Sequence, residues 1–578
     1  MARDFTTLEK NIKEIIDDLK GLCSQNGLSN TAHEEIVVTS VFLYKFLNDK
    51  FIANLKDFAK DIKVEYEELI NNPEDYMDAF YDSYPQDVAF RYEDTIDHLV
   101  KDVARNDFYK IFDDTLERIS GYPQNDAFGV DTADGTKKPL FTRITDSVEA
   151  SKRNAFAKNI FAYITRDRFD FGEAFKENYD FFSTIFEYLI ADYNVASGKY
   201  AEYFTPQMVS SAIAKILVHM APVEDNIYEI YDPSAGSGSL VLHLANELGD
   251  GKFGNKARVY TQDISQKSSR FLRINMLLNG LTDSLDNIIE GDTLVSPAHY
   301  KTPGDQNSGI KQFDFITSNP PFKMDFSSTR GEIETKWSAT DRFFAGVPSI
   351  PNKKKDSMGI YLCFIQHILY SLKDGGKAAI VVPTGFITAQ SGIEKAIRQR
   401  IIDRRWLRGV ISMPSNIFAN TGTNVSILFI DKSNSDGNVL LMDASKLGHK
   451  EKVKDAQKTV LEDWELDKIV NTFIEHKVEE DFTVSVTYDA IKEKNYSLSA
   501  GQYFDVKIEY VDITQEEYEK MIDEFNNDLA KYVEETNQFQ KEISKILKEL
   551  KVKWCKKWNW ILFVICIQEG MLRMTFPS

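Results

Sequence analysis

The chain has 578 residues, of which 43% are hydrophobic, and it carries a net charge of −20 at pH 7. This length predicts two to four domains, and the apolar content suffices for several cores. The acidity argues against a protein that binds DNA unaided, because attraction to phosphates supplies most of the non-specific affinity for DNA.

The first 150 residues are the acidic part of the chain. They hold 17 Lys and Arg against 31 Asp and Glu, a net charge of −14. Apolar residues recur at helical spacing from Ile12 to Leu19 and from Ile36 to Leu47. Charged residues between Arg3 and Lys10 interrupt any apolar run that could act as a secretory signal. We predict an acidic all-helical domain over residues 1–165, whose acidic faces are either solvated surface or a docking site for basic partners.

A strand, a glycine-rich loop and a helix are predicted in the middle of the chain. The strand is Ile227–Tyr231, the loop is Asp232-Pro233-Ser234-Ala235-Gly236-Ser237-Gly238, and the helical pattern runs from Leu240 to Leu248. This is the first unit of a doubly wound sheet, where ligands bind outside the carboxyl ends of the strands. The loop has neither the Gly-Lys-Ser/Thr of a Walker loop nor the third glycine of the dinucleotide fingerprint. Its Asp-Pro start suits S-adenosylmethionine, which has no phosphate to neutralise and a sulfonium cation to balance. The candidate cofactor contacts in this loop are Asp232, Ser234, Ala235, Gly236 and Gly238.

Carboxylates end the next two predicted strands. Asp263 follows the second strand, where it can accept hydrogen bonds from both ribose hydroxyls, and Asp292 follows the third, where it suits the adenine amine of the cofactor. Upstream lies a Thr-Pro element before a predicted helix, whose first N–H groups could meet the methionine carboxylate. Its candidate residues are Glu202, Tyr203, Phe204, Thr205, Pro206 and Gln207. Each residue alone could be an ordinary cap or loop carboxylate, but their order favours a cofactor site.

The turn Asn319-Pro320-Pro321-Phe322 is the most informative motif of the chain. It follows the apolar strand Phe313–Ile316, and each proline fixes its own φ and donates no N–H. The Asn319 amide oxygen, the Pro320 carbonyl and the Phe322 ring are thereby held together. Two acceptors beside a stacking ring suit a planar ring with an exocyclic amine, because they hold its N–H groups and free its lone pair for attack. For the motif alone, a proline turn that merely ends a strand is the alternative.

A long segment, Lys323–Gly359, separates this turn from a predicted helix over Ile360–Leu372. Loops of this length inside a domain are usually functional or disordered. Basic and aromatic residues beside the turn suit contact with a DNA backbone and support of an extruded base. The candidate DNA contacts are Arg330, Trp337, Arg342, Phe343, Lys353 and Lys354. A disordered surface run is the alternative for the lysines at 353–355.

The end of the chain offers a long helix and no base-reading domain. Thr514-Gln515-Glu516-Glu517 forms a capping box. A seam of residues at 4-3-4-3 spacing follows, with one polar member: Tyr518, Ile522, Phe525, Leu529, Tyr532, Thr536, Phe539, Ile543, Ile546 and Leu550. The sustained heptads favour contact with another protein over packing on the helix's own domain. Residues 551–578 form an atypical hydrophobic and basic tail, with tryptophans and an apolar run too short to span a bilayer. An interfacial anchor, an added core strand and a frame-shifted end are the alternatives, and we favour the last.

These motifs make the chain resemble the modification subunit of a type I restriction-modification system, an adenine-N6 DNA methyltransferase. The resemblance rests on Glu202–Pro206, Asp232–Gly238, Thr261–Asp263, Gly291–Leu294, Phe313–Phe322, Asp341–Pro348, Gly376–Gly385 and Phe418–Ile430. Asp263 stands where a glutamate is more usual, and Ser239 where a Phe often follows the second glycine. The implied fold is α/β: a Rossmann-like, seven-stranded S-adenosylmethionine-dependent methyltransferase domain over residues 166–480. The helical domain precedes it, and residues 481–550 form a C-terminal region with the heptad helix.

The resemblance also implies chemistry and partners. S-adenosylmethionine donates the methyl group, and Asn319, Pro320, Pro321 and Phe322 receive the flipped adenine of double-stranded DNA. The C-terminal helix contacts the specificity (S) subunit, a second copy of the chain joins the complex, and a restriction (R) subunit is a further candidate partner. The reaction needs no metal and no cysteine nucleophile, and the four cysteines have neither metal nor redox spacing. We expect a cytoplasmic protein of a bacterium or archaeon, without membrane contact.

Two other functions stay open. One is N-methylation of an RNA base or of a protein glutamine amide, which can use the same Asn-Pro-Pro turn. The Thr205-Pro206 element and the flanking helical regions argue against it. The other is a non-catalytic DNA-binding or assembly subunit that keeps the fold for cofactor sensing, since a fold alone does not fix a function. The intact motifs argue against this second alternative.

Overall fold

The computed structural model describes most of the chain. The described residues are 6–29, 31–84, 87–131, 137–166, 169–171, 188, 205–221, 226–249, 256–418, 424–453, 456–504 and 514–554. The chain divides into two compact units, Met1–Phe504 and Asp505–Ser578. Within the ranges just given, no helix is both long and apolar enough to cross a membrane.

Helices dominate the first part of the larger unit, as the spacing of its apolar residues predicts. They are α1 (Thr6–Gln25), α2 (Ala32–Asp61), α3 (Tyr66–Asn71), α4 (Pro73–Ser83), α5 (Ile96–Leu99), α6 (Phe108–Gly121) and α7 (Arg153–Ile164), with a hairpin of Val130–Asp131 and Lys137–Lys138 before α7. Helix α2 begins where the Thr31 hydroxyl accepts the N–H of Glu34, a side-chain cap. The apolar faces of α1 and α2 meet in a shared core, in which Ile12 and Val41 have no exposed surface.

A nine-stranded mixed sheet follows in the same unit. Its strands are β1 (Tyr228–Asp232), β2 (Ala257–Asp263), β3 (Ile288–Glu290), β4 (Phe313–Ser318), β5 (Leu372–Pro383), β6 (Leu407–Ser412), β7 (Val425–Asp431), β8 (Asn438–Asp443) and β9 (Thr483–Thr487). Across the sheet their order is β9-β8-β6-β7-β5-β4-β1-β2-β3. Strands β7 and β9 run antiparallel to their neighbours, and the other pairs are parallel.

The predicted α/β fold is confirmed, although the described residues form a sheet of nine strands where seven were expected. The two additional strands, β8 and β9, extend the edge beyond β6. The chain leaves β1 towards β2 and β3 and then returns to β4 on the other side of β1. Ligands of doubly wound sheets bind at such a reversal, in the crevice outside the carboxyl ends of the strands.

Helices cover the sheet and connect its strands. They are α8 (Gln207–His219), α9 (Ser239–Leu248), α10 (Gln266–Leu278), α11 (Arg330–Lys336), α12 (Tyr361–Ser371), α13 (Gly385–Thr388), α14 (Gly392–Asp403), α15 (Asp463–Ile474) and α16 (Tyr488–Glu493). Two hairpins lie outside the sheet, Tyr300–Thr302 with Asp305–Ile310 and His449–Val453 with Ala456–Val460. Every residue of β7 is buried, as expected for a strand with neighbours on both sides and helices above and below.

Helix α10 joins the N-terminal helices to the sheet. Its Lys267 and Arg270 side chains form ion pairs with Glu35 of α2, at 2.9 and 2.8 Å. The fully buried guanidinium of Arg273 donates to the carbonyl oxygens of Gly129, at 2.6 Å, and Ile288, at 2.9 Å. Since α10 begins directly after β2, the N-terminal helices pack beside one wall of the crevice.

The described part of the smaller unit is a single helix, α17 (Gln515–Trp554). The predicted capping box is present: the Thr514 N–H donates to the Glu517 carboxylate at 2.9 Å, and the Glu517 N–H donates to the Thr514 hydroxyl at 3.3 Å. The apolar seam residues from Tyr518 to Ile546 are between 42% and 65% exposed. The helix continues past the predicted boundary at 550, and residues 555–578 of the predicted tail lie outside the described residues.

Candidate active site

A cavity of about 240 Å³ opens at the carboxyl ends of β1, β2 and β4. Nine residues predicted from the sequence line it: Thr205, Asp232, Ser234, Ala235, Gly236, Asp263, Asp292, Asn319 and Pro321. They come from five separate stretches of the chain. The strand order is what brings them together, because it sets the ends of β1, β2 and β4 side by side.

The loop after β1 is shaped by its own aspartate and glycines. The Asp232 carboxylate accepts the N–H of Ser234 at 2.9 Å, which closes a turn. Gly236 and Gly238 have φ values of +54° and +86°, a region that side chains other than glycine rarely adopt. A Cβ on Gly238 would also lie 2.1 Å from the Leu272 side chain of α10. Glycine at 238 therefore lets the loop and α10 approach closely.

Asp263 holds the same loop from the neighbouring strand. One of its carboxylate oxygens accepts the N–H of Gly236 at 2.9 Å, and the other accepts the N–H of Ser265 at 2.8 Å. The Ser265 hydroxyl in turn caps α10. A carboxylate oxygen can accept more than one hydrogen bond, so Asp263 can bind a ligand hydroxyl while it fixes the loop.

Two carboxylates, the buried Asp232 and the half-buried Asp263, give the cavity an unusual electrostatic character. Burial raises the pKa of Asp232 to about 7; hydrogen bonds from Ser234 and Ser318 oppose this rise, and the nearby Asp263 adds to it. Burial also raises the pKa of Asp263, against the hydrogen bonds from Ser265 and Gly236. A bound cation would favour the ionised form of both groups. The cavity is therefore suited to a ligand that carries positive charge.

Asp292 fixes the loop after β3, which forms another side of the cavity. Its carboxylate accepts the N–H groups of Leu294 and Val295 at 2.9 and 3.2 Å. The hydroxyl of the next residue, Thr293, donates to the carbonyl of Pro233 at 2.7 Å. This bond joins the loop after β3 to the loop after β1. Among the described residues, no group of three or more His, Cys, Asp or Glu is placed to hold a metal ion.

Asn319 and Pro321 of the Asn-Pro-Pro-Phe turn line the cavity at the end of β4, whereas Pro320 and Phe322 are not among its lining residues. Asn319 is only 5% exposed, and its amide nitrogen donates to the Thr205 hydroxyl at 3.1 Å. The preceding Ser318 hydroxyl lies 2.7 Å from that of Ser234, so β4 and the loop after β1 are in direct contact. Phe322 is half-buried with its ring edge towards Tyr361, at 6.3 Å between centroids.

The remaining predicted cofactor residues fall into two groups. Pro206, Gln207 and Gly238 do not line the cavity, although the buried Gln207 side-chain nitrogen has no hydrogen-bond partner among the described residues. Glu202, Tyr203 and Phe204 lie outside the described residues. Sequence reasoning missed several lining residues, which include Ile264, Phe271, Thr293, Leu294, Met324 and Phe364. Ile264 could have been found, since it directly follows Asp263; the helix residues Phe271 and Phe364 look like ordinary core positions.

The segment after the turn differs from the prediction at its arginines. Arg342 has no exposed surface, so it is not the DNA contact expected from the sequence. The mainly buried Arg330 donates to the carbonyls of Val347 and Pro348 and pairs with Glu334. Both guanidinium groups donate hydrogen bonds to backbone carbonyls of the same chain. A sequence pattern cannot reveal such contacts. The other four predicted contacts keep some exposure: Trp337 and Phe343 are half-buried, and Lys353 and Lys354 are exposed.

Comparison with known proteins gives consistent results. A family model described as N-6 DNA Methylase matches residues 177–512. The type I restriction enzyme MpnII methylase subunit of Mycoplasma pneumoniae is 28% identical, over 94% of this chain and 96% of that protein. The MjaVIII methylase subunit of Methanocaldococcus jannaschii is 24% identical, over 94% and 87%. A crystal structure of a type I restriction-modification methyltransferase subunit from Streptococcus thermophilus shares the fold, with a TM-score of 0.61, 20% identity, and coverage of 86% of this chain and 100% of that one.

Proposed function

Because the chain belongs to the N-6 DNA methylase family, we propose that its cavity is where S-adenosylmethionine and an adenine base of DNA meet. The chain is an adenine-N6 DNA methyltransferase and acts as the modification subunit of a type I restriction-modification system. One observation carries the assignment of the site: the Asn319 turn opens into the same cavity as the loop after β1. The amine to be methylated and the methyl donor can therefore lie side by side.

The residues of the cavity fit S-adenosylmethionine. The carboxylates of the buried Asp232 and the half-buried Asp263 suit a ligand with a sulfonium and an ammonium group and with ribose hydroxyls. Ile264 and Phe271 offer apolar surface to a flat base, and Asp292 lies at the same side as an acceptor for an amine. Thr205 lines the cavity just before the start of α8, a suitable position for a ligand carboxylate.

The turn residues would act on the target adenine. When bound, S-adenosylmethionine supplies a methyl group that an amine can attack directly. The Asn319 amide oxygen and the Pro320 carbonyl oxygen accept hydrogen bonds from the two N–H groups of the adenine N6 amine. The lone pair of this nitrogen then remains free to attack the methyl group. Phe322 stacks on the base. Extrusion of a base from the duplex costs a few kcal/mol, which these hydrogen bonds and the stacking offset.

In this proposal the C-terminal helix binds the partner subunit. Its exposed apolar seam pairs with the specificity subunit, which reads the DNA sequence, and a second copy of this chain binds in the same complex. A restriction subunit is a further partner. A chain with a net charge of −20 should attract DNA weakly by itself. The proposal therefore expects methylation to depend on the specificity subunit.

Transfer of labelled methyl groups tests this proposal. The purified chain, alone or with the specificity subunit of the same system, is incubated with labelled S-adenosylmethionine and genomic DNA from a strain without the system. We expect N6-methyladenine at defined sites only with both subunits present. Efficient site-specific methylation by the chain alone would contradict the dependence on a partner.

The same assay separates the alternative functions. Total RNA and whole-cell protein serve as parallel acceptors, and mass spectrometry identifies the methylated group. Label on an RNA base or a glutamine amide, and none in DNA, would replace the proposed substrate. Cofactor binding without transfer to any acceptor would favour a non-catalytic assembly subunit.

A further inference from the structure

Arg342 lies in a closed environment below the cavity. Its guanidinium is fully buried between the rings of Trp337 and Phe343, 4.4 and 4.7 Å from their centroids. Burial lowers its pKa to about 10, so it stays charged at neutral pH. Among the described residues no carboxylate contacts this cation, and its hydrogen bonds there go to a histidine ring and two backbone carbonyls. A buried charge held in this way has a cost, which suggests a task beyond packing.

The two carbonyls belong to the wall of the cavity. Arg342 donates to the carbonyl of Thr293 at 2.7 Å and to that of Leu294 at 2.9 Å. Both residues line the cavity, and they directly follow Asp292, whose carboxylate accepts the Leu294 N–H. The guanidinium therefore holds one side of the Asp292 loop, while Asp292 itself holds the other. Two carbonyls in adjacent peptide units match the fork of a guanidinium better than the single ammonium of a lysine.

A histidine and a tyrosine connect this arginine to β1. The Arg342 Nε–H donates to Nδ1 of His367 at 3.1 Å, and Nε2 of the same ring lies 3.2 Å from the Tyr231 hydroxyl. Burial lowers the pKa of His367 well below its usual range, so the ring is neutral and can accept from Arg342 at Nδ1. Tyr231 immediately precedes Asp232. The buried network thus spans from the strand below Asp232 to the loop after Asp292.

We propose that Arg342 is a positioning residue that fixes the Asp292 loop against the loop after β1 and thereby sets the affinity for S-adenosylmethionine. This inference rests on the proposed function, because it takes the cavity to be the cofactor site. Arg342 contacts neither the cofactor nor the base in this assignment. It acts through the carbonyls of Thr293 and Leu294, and His367 orients it.

The test compares two buried arginines. Arg342→Lys keeps the charge but cannot reach both carbonyls and the histidine together. Arg398 is the matched control, because it is also fully buried, has a pKa lowered by burial, and donates to the backbone carbonyls of Phe386, Ala389 and Tyr496. None of those three residues lines the cavity. Arg398→Lys should cost comparable stability without changing the cofactor site.

Calorimetric titration with S-adenosylmethionine and steady-state kinetics of the complex provide the measurements. For Arg342→Lys we expect cofactor affinity to fall about tenfold, on the order of one lost hydrogen bond to a charged group. The KM for cofactor should rise by a similar factor, while kcat at saturating cofactor and the KM for DNA stay near the original values. Arg398→Lys should lower the melting temperature and leave cofactor affinity unchanged.

The binding measurements can overturn the proposal. Unchanged cofactor affinity in a folded Arg342→Lys protein would overturn it, as would an equal loss in Arg398→Lys. If Arg342→Lys does not fold, His367→Phe decides, because it keeps an aromatic ring but removes the acceptor that orients the guanidinium. Weaker cofactor binding by that variant supports the inference, and unchanged binding refutes it. Failure of the original protein to bind S-adenosylmethionine would instead refute the proposed function.

Discussion

The raised pKa of Asp232 predicts that cofactor binding strengthens as the pH rises towards neutrality. Its pKa of about 7 reflects burial at the floor of the cavity, and a sulfonium or ammonium ligand should bind the carboxylate form. Apparent affinity then follows the ionised fraction, about half at pH 7 and about 3% at pH 5.5. The expected loss of affinity between pH 7 and pH 5.5 is about 15-fold. Asp263 titrates in the same direction and can only steepen this dependence.

Calorimetric titration with S-adenosylmethionine at several pH values measures how the cofactor affinity changes with pH, and Asp232→Asn is the matched variant. It should bind more weakly at pH 7 and retain only the shallower dependence that Asp263 provides. The effect of pH on folding stability has the opposite sign. Because the pKa of Asp232 is raised in the folded state, its carboxyl group costs no stability below the unfolded pKa near 3.8, and stability is lost as the pH rises from there through 7. Asp232→Asn should therefore raise the unfolding free energy at pH 8, by about 4 kcal/mol at most. A flat affinity profile in the original protein, or an unchanged slope in the variant, would refute the reasoning.

Three further variants have defined outcomes. Asn319→Ala should reduce methyl transfer by about 100-fold or more, because it removes an acceptor used in the transition state, while equilibrium dialysis finds nearly unchanged cofactor affinity. Glutamates at Leu529 and Ile543 together should prevent co-purification of the specificity subunit and its dependent methylation, since two charges would be buried in the seam. Gly238→Ala should lower the unfolding free energy by about 2–4 kcal/mol in urea titration, because the positive φ and the contact with Leu272 both penalise a side chain.

Matched variants make these outcomes interpretable. Asn319→Asp keeps an acceptor oxygen at the same place and should lose less activity than the alanine variant. Asn527→Glu with Ser544→Glu adds the same charge to α17 outside the seam and should leave the complex intact. Gly121→Ala, at a helical position with nothing within 4 Å of the added Cβ, should be neutral or slightly stabilising. Wild-type transfer by Asn319→Ala, an intact complex after the seam substitutions, or equal effects of the two glycine changes would each contradict the assignment.

Much of the cavity was predictable because its polar residues directly follow apolar strands. Asp232, Asp263, Asp292 and Asn319 each come at or just after a strand end, and the fold carries those ends to one edge. The helix that begins at Gln207 starts directly after the Thr-Pro element, as predicted, since its apolar period and its Thr-Pro start agree. In each case local sequence and global topology favour the same structure.

The errors arose where tertiary contacts decide the outcome. Arg342 lies between aromatic residues in sequence, a pattern that also fits a DNA-binding loop, and only the carbonyls of Thr293 and Leu294 reveal its buried position. Strand β9 escaped prediction because its Thr-Val-Ser-Val-Thr sequence is short and follows a polar stretch; pairing with β8 gives it its conformation. Propensity at such edge strands depends on the neighbour as much as on the sequence.

Helix α17 has a consequence for how the protein must be made. Its 40 residues extend about 60 Å, with an apolar stripe along much of that length. Contiguous apolar surface of this size promotes aggregation when no partner covers it. With the proposed pairing between this helix and the specificity subunit, chains synthesised in excess of that subunit would be prone to self-association and precipitation. The same proposal makes balanced translation of the two subunits, and co-expression in the laboratory, conditions for obtaining active material.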